Sequence, residues 1–390
     1  MFARLLPILG ITFIDVLGFS ILIPILPYYV EHFHAPKIAV GVLFAIFAFC
    51  QFLAGPFWGN VSDRIGRKRV LVISQIGATL GWIMMAFAPT LTWVFIARVV
   101  EGISGGNISV TQAYVADRVE PQQRARAFGF IGAAFSSGII IGPAAGGILL
   151  AHFGYAVPFL VAAAMQVVTL ALTVAILPES IAQRADVKSG ITFGDIRRCL
   201  EQAPVAALLG QKFAYALALY GWFASFALAL QVLLGFGPSE TSYLFGYFGA
   251  ISVVIQLGVV GRLSERFGAR IASNVGIALA LGFFVIVGHV HTVLGALGVL
   301  VLFAFGLAIA NATLTTLLTD LAPDEMRGTV LGVGSSIESI AGIIMPTITT
   351  GVLAAYGAVW SASICAVFCA LALVLGLRAR RSPLAALEAK

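Results

Sequence analysis

Apolar runs of about twenty residues recur twelve times along this chain of 390 residues, each long enough to cross the hydrocarbon core of a bilayer. They lie near 5–27, 38–60, 70–89, 91–115, 127–151, 155–178, 205–231, 240–261, 271–290, 293–319, 328–352 and 357–378. A segment in lipid must satisfy its own backbone N–H and C=O groups, so these runs predict α-helices and exclude open sheets. Hydrophobic residues make up 60% of the chain and charged residues only 10%, against about 25% charged in soluble globular domains. The expected fold class is therefore an all-α integral membrane protein with twelve transmembrane helices.

The second constraint is a duplication. Gly59-Asn60-Val61-Ser62-Asp63-Arg64-Ile65-Gly66-Arg67-Lys68-Arg69 is echoed by Gly261-Arg262-Leu263-Ser264-Glu265-Arg266-Phe267-Gly268-Ala269-Arg270-Ile271, 202 positions later. Asp117, Arg124, Gly129 and Pro143 match Asp320, Arg327, Gly332 and Pro346 at an offset of 203. Half-chain repetition inside a membrane marks a transporter built from two pseudo-symmetric halves. The expected halves are six-helix bundles at 1–178 and 205–390, joined by the polar linker 179–204, in which Phe193–Leu200 should form a short interfacial helix.

Basic residues fix an expected orientation. With both termini in the cytoplasm, Lys37 is the single basic residue outside, Arg98 and Lys212 fall within helices, and the other 20 of the 23 lysines and arginines lie inside. The net charge of +6 thus reflects topology and not an anionic partner such as nucleic acid. Cys50, Cys199, Cys365 and Cys369 show no metal or redox spacing. His32, His34, His152, His289 and His291 fall on outer loops and are expected to be solvated, with no metal. The first apolar run follows Arg4 with no small-residue cleavage site, which reads as an uncleaved span. No phosphate-binding G-x-x-x-x-G-K-[ST] loop occurs, which argues against ATP as the energy source and against an enzyme of that class.

A charge inside a span costs about 2.5–3.5 kcal/mol at a helix centre, so each one present asks for a reason. Asp15 in the first helix, Arg98 and Glu101 in the fourth, and Glu338 in the eleventh are the candidates. Arg98 and Glu101 are three apart on one helix face. Two readings are open. Arg98 bridges Glu101 or Asp15 as a fixed structural pair, or the acids carry protons with Arg98 as a switchable partner. Lys212 lies closer to a cytoplasmic end and can snorkel to water. In the loop between helices two and three, Asp63 with Arg64, Gly66 and Arg67 is expected to act as a conformational latch on the positive end of helix eleven. Glu265 and Arg266 would play the same part near Arg126 in the other half. In helix five, Gly138, Gly142, Gly146 and Gly147 clear a face for close helix approach, and Pro143 permits a bend.

These motifs together resemble the major facilitator superfamily, and within it the twelve-helix drug:proton antiporters that include tetracycline exporters. The Gly59–Arg69 run resembles the superfamily's loop signature, Arg98-x-x-x-Gly102-x-x-x-Gly106 its fourth-helix arginine motif, and Gly138–Gly147 its antiporter motif. Asp15-Val-Leu-Gly18-Phe-Ser-Ile-Leu-Ile-Pro24 is similar to the first helix of tetracycline exporters. The acid those exporters carry in helix nine has no counterpart between Ile271 and Val290. The resemblance implies the major facilitator fold, with a central cavity lined by helices one, four, seven and ten. Mapped here, that wall takes in Phe19, Asn107, Gln112, Tyr215, Tyr220, Trp222, Phe226 and Asn311. It further implies a monomeric proton-coupled antiporter of the cytoplasmic membrane that exports small amphipathic compounds or drugs by alternating access. The proton gradient is its driving force and no cofactor is needed. A proton-coupled exporter of a natural metabolite (sugar, lipid or siderophore), and a facilitator or membrane sensor without proton coupling, are the alternatives.

Overall fold

A computed structural model describes residues 2–105, 108–119, 124–180, 193–322 and 326–379. Among them every regular element is a helix. In chain order these are α1 (Phe2–His32), α2 (Ile38–Ile65), α3 (Arg67–Ala86), α4 (Leu91–Ser104), α5 (Ile108–Arg118), α6 (Arg124–Phe153), α7 (Ala156–Ile176), α8 (Phe193–Glu201), α9 (Ala203–Leu234), α10 (Pro238–Gly258), α11 (Val260–Phe267), α12 (Ala269–Val287), α13 (Val293–Leu321), α14 (Arg327–Tyr356) and α15 (Ala358–Ala379). Each expected span is met by one helix or by a consecutive pair. Among the described residues nine helices are long and apolar enough to cross a bilayer, or ten if the bent pair α10–α11 counts as one span. The described part of the fourth expected span is α4 and α5, with residues 106–107 between them outside the described residues. The helix expected in the linker is present as α8, braced by Arg197 donating to Glu201 at 2.8 Å.

Two compact units emerge. The first holds Met1–Ala39, Ile46–Gly190 and Gly237–Gly246, and the second Val40–Ala45, Ile191–Phe236 and Tyr247–Lys390. Within the first, α1 packs on α6 and α7, and α3 on α4 and α7. Within the second, α9 packs on α14 and α15, and α12 on α13 and α15. The four pairings correspond one to one, so the duplication read from the loops extends to the packing. It also reaches the backbone. Gly66 (φ 105°) separates α2 from α3, and Gly268 (φ 80°) separates α11 from α12. Both values lie in the positive-φ region that glycine enters without steric penalty, which explains the glycine at this point in each copy of the motif.

Burial follows the solvent. Many large apolar side chains point outward, among them Phe49, Leu53, Phe57, Val254 and Leu294, as lipid-facing positions should. Inside the first unit Ile8, Ile11, Val70, Leu71, Val110, Tyr114 and Val115 of α1, α3 and α5 form one cluster. Of the cysteines, Cys199, Cys365 and Cys369 are buried and Cys50 is partly so.

Candidate functional site

The helix-five glycines locate α1, and α1 carries the first acid. A Cβ at Gly138 would lie 2.9 Å from the Leu17 nitrogen and 3.0 Å from the Phe13 oxygen. At Gly142 and Gly146 it would run into Ser20 and the Ile21 backbone, and at Gly147 into Ser242 at the start of α10. Only glycine permits these approaches. Ser20 Oγ fixes the register by donating to the Gly138 carbonyl at 2.8 Å. With α1 held this way, half-buried Asp15 turns toward α7 and accepts from Gln166 Nε2 at 3.1 Å. It does not bridge Arg98.

Arg98 pairs instead with Glu101, one turn along α4. Both are buried, Arg98 at 0% exposure and Glu101 at 3%. The guanidinium also lies over the Phe47 ring of α2, 4.2 Å from its centroid, and Phe47 stacks on Phe19 of α1 at 5.1 Å. Cation–aromatic contacts gain strength when desolvated. On the other side Glu101 lies against α3, where a Cβ at Gly81 would overlap its Cγ. Glu101 is thus an interior residue between α3 and α4, not part of an open wall. The pair is incomplete: Arg98 Nε and Nη2 and Glu101 Oε1 are buried and have no hydrogen-bond partner among the described residues. Asn107, and the side chain of Gln112, lie outside the described residues.

In the loop motif Arg67 is the hub. It is 8% exposed, pairs with Asp63, reaches Asp117 through Nε at 3.3 Å, and donates to Ser62. Glu179 sits against Gly66 and accepts from the Lys68 backbone N–H at 3.2 Å, capping the start of α3. Asp63 is therefore engaged inside its own unit, while Arg64 is exposed. The second copy is built differently. Glu265 and Arg266 are exposed, α11 buries no residue, and the position equivalent to Arg67 is Ala269. The side chain of Arg126 lies outside the described residues.

Of the residues expected on the wall of helix seven, three are buried and one is open. Tyr215, Trp222 and Phe226 are all below 5% exposure, and Trp222 meets Phe226, Phe283 and Phe284 at ring distances of 5.3–5.8 Å. They pack α9 on its neighbours, and Phe226 also lines a small apolar pocket with Phe283, Val287 and Leu300. Spacings of seven and eleven residues place the three on one helix face, whereas Tyr220 lies on another. Tyr220 is 39% exposed, and Asn311 of α13 is exposed too. Trp222 Nε1 is buried with no hydrogen-bond partner among the described residues. Trp222→Phe should therefore shift stability by less than about 1.5 kcal/mol, since the lost ring area is offset by removing an unsatisfied N–H. Thermal unfolding in detergent measures this. A change in the range of transported compounds at unchanged stability would instead make Trp222 a contact residue.

Sequence reasoning missed one partnership. Lys212 Nζ of α9 lies 3.0 Å from Glu338 Oε1 of α14, with the lysine side chain 13% exposed and the carboxylate 36%. Only the charges of both residues signalled it, because the rotation of a helix is invisible in a chain that is apolar on nearly every face.

Comparison with known proteins agrees with this architecture. A sequence model of the Major Facilitator Superfamily matches residues 8–346 and, separately, 213–390. The class C tetracycline resistance protein of Escherichia coli is 32% identical over 369 residues, covering 92% of this chain and 91% of that protein. Multidrug resistance protein 2 of Bacillus subtilis is 28% identical, covering 87% and 86%. Among solved structures, a bacterial homologue of the human lysosomal transporter Spinster superposes with a TM-score of 0.78 at 17% identity, covering 98% of each chain. The human organic anion transporter MFSD10 gives 0.73 at 21%, covering 96% and 99%. The repeated helix pairings, the glycine turn present in both halves and a sequence match spanning nearly the whole length lead to one conclusion: this chain belongs to the major facilitator superfamily and is a multi-pass membrane transporter, not an enzyme.

Proposed function

We propose that the protein is a proton-coupled antiporter that exports small amphipathic compounds by alternating access. It would sit in the cytoplasmic membrane as a monomer with both termini inside, taking its energy from the proton gradient and needing no cofactor or nucleic-acid partner. The observation that carries this reading is the unfinished Arg98–Glu101 pair. A salt bridge serving structure alone is expected to satisfy its remaining donors and acceptors, because buried charges are otherwise costly. Among the described residues two guanidinium nitrogens and one carboxylate oxygen find no partner. A proton arriving on Glu101 would free Arg98 for another acceptor while Phe47 keeps the guanidinium in place. Asp15, held by a neutral amide, can gain or lose charge without breaking an ion pair. The resistance proteins among the relatives support a drug-like cargo.

Everted membrane vesicles test the coupling. Ethidium accumulation should require a proton gradient, collapse with an uncoupler, and fall at least about tenfold in Asp15→Asn, the loss equivalent to about 1.4 kcal/mol. Accumulation that persists after the gradient is dissipated would remove proton coupling from this account.

A further inference from the structure

The Lys212–Glu338 pair occupies the interface of two helices that start from the same end of the second unit. Immediately beyond it, Ala216 and Leu217 of α9 close on Ala341 and Met345 of α14 as a buried apolar seam. Lys212 runs along α14, with Nζ 3.7 Å from the Cβ position of Gly334. The ammonium is therefore tucked behind, against a helix, while the carboxylate is the more open of the two groups. Tyr220, two turns further along α9, is 39% exposed. The residue equivalent to Glu338 in the first half is Phe135, at the 203-residue offset, so this ion pair is not a product of the duplication.

A partly exposed carboxylate packed on a helix that also carries an exposed tyrosine is chemistry that receives an organic cation. Here the receptor already holds one. We propose that Lys212 is a resident counter-ion for Glu338, and that the positively charged centre of a transported compound binds by displacing it. The proposal deepens the export reading above by naming the charge of the cargo and the residue that competes with it. In the empty carrier Lys212 neutralises Glu338, so the carboxylate crosses the membrane cycle without a bare charge. In the loaded carrier the compound's cation takes the carboxylate, and the flexible lysine stem carries its ammonium toward water. The lysine sets a threshold: weakly bound cations fail to displace it.

The signature is an affinity that improves when a charged residue is removed. In purified protein, Lys212→Met should lower the dissociation constant for tetraphenylphosphonium by about tenfold, because the ligand no longer competes with a neighbouring ammonium. Glu338, with 36% of its side chain exposed, is less costly to leave unpaired than a fully buried acid. The double variant Lys212→Met/Glu338→Gln removes both charges without stranding either, and should lose that gain and bind more weakly than the wild type. A structural role for the pair predicts the opposite for Lys212→Met, namely weaker binding along with lower stability. The proposal is overturned if Lys212→Met binds no more tightly than the wild type, or if the double variant binds as tightly as the single one. Uncoupler sensitivity in vesicles reports separately on export. Should binding follow this pattern while no variant transports against a gradient, the cation site stands and the antiporter reading falls.

Discussion

Arg98→Met should lose about 3–5 kcal/mol of stability, the range expected when one partner of a buried ion pair is removed and the other is stranded. Glu101 has nowhere to turn. It is 3% exposed, its Cγ is pressed against Gly81, and its second oxygen has no partner among the described residues. Thermal unfolding in detergent should show the loss directly, with the amount of protein reaching the membrane as a second readout. The double replacement Arg98→Met/Glu101→Gln separates two roles. It removes both charges while roughly preserving volume, so most of the stability should return while gradient-driven transport should not. Full transport by the double variant would reduce the pair to a structural bridge. If instead the single variant were as stable as the wild type, the buried geometry of Glu101 described above would be wrong.

The second large effect is steric. Gly146→Leu should separate α1 from α6 and abolish transport, with overpacking alone costing about 1–3 kcal/mol. A Cβ there would stand 3.0 Å from Ile21 Cα and closer still to the Ile21 carbonyl oxygen, and backbone atoms cannot rotate away. The same helix pair supplies the control. Gly10 of α1 has nothing within 4 Å of its Cβ position, so Gly10→Ala should be tolerated or gain a few tenths of a kcal/mol from helix propensity. Membrane yield and unfolding temperature distinguish the two. Equal behaviour of both variants would mean that the close approach at Gly146 has no mechanical importance.

The features legible in sequence were those written in local chemistry. Span positions follow from the length of apolar runs. Gly66 and Gly268 announce a turn because the motif recurs around them, and the glycines of α6 announce a close neighbour by their spacing. Which neighbour, and which face, could not be read. In a soluble helix the polar side marks the outside. In α9, apolar residues lie toward lipid and core alike, so Tyr220 looks equivalent in sequence to Tyr215 and Trp222 although it lies on a different face of the helix from those two. The pairing of Lys212 with Glu338 was hidden for the same reason: it depends on how two helices some 120 residues apart rotate against each other, which no pattern within either one encodes. Glu101 presents a related case, since its i, i+3 spacing from Arg98 was plain but its orientation toward Gly81 was not.

The distribution of thiols has a practical consequence for anyone wishing to watch this carrier move. Cys199, Cys365 and Cys369 are sealed away and Cys50 is only partly accessible, so maleimide dyes or spin labels meet a nearly silent background. A single cysteine introduced at Tyr220 or Asn311, both exposed, would report reagent access at each stage of transport, and replacing Cys50 alone should suffice to clear the signal.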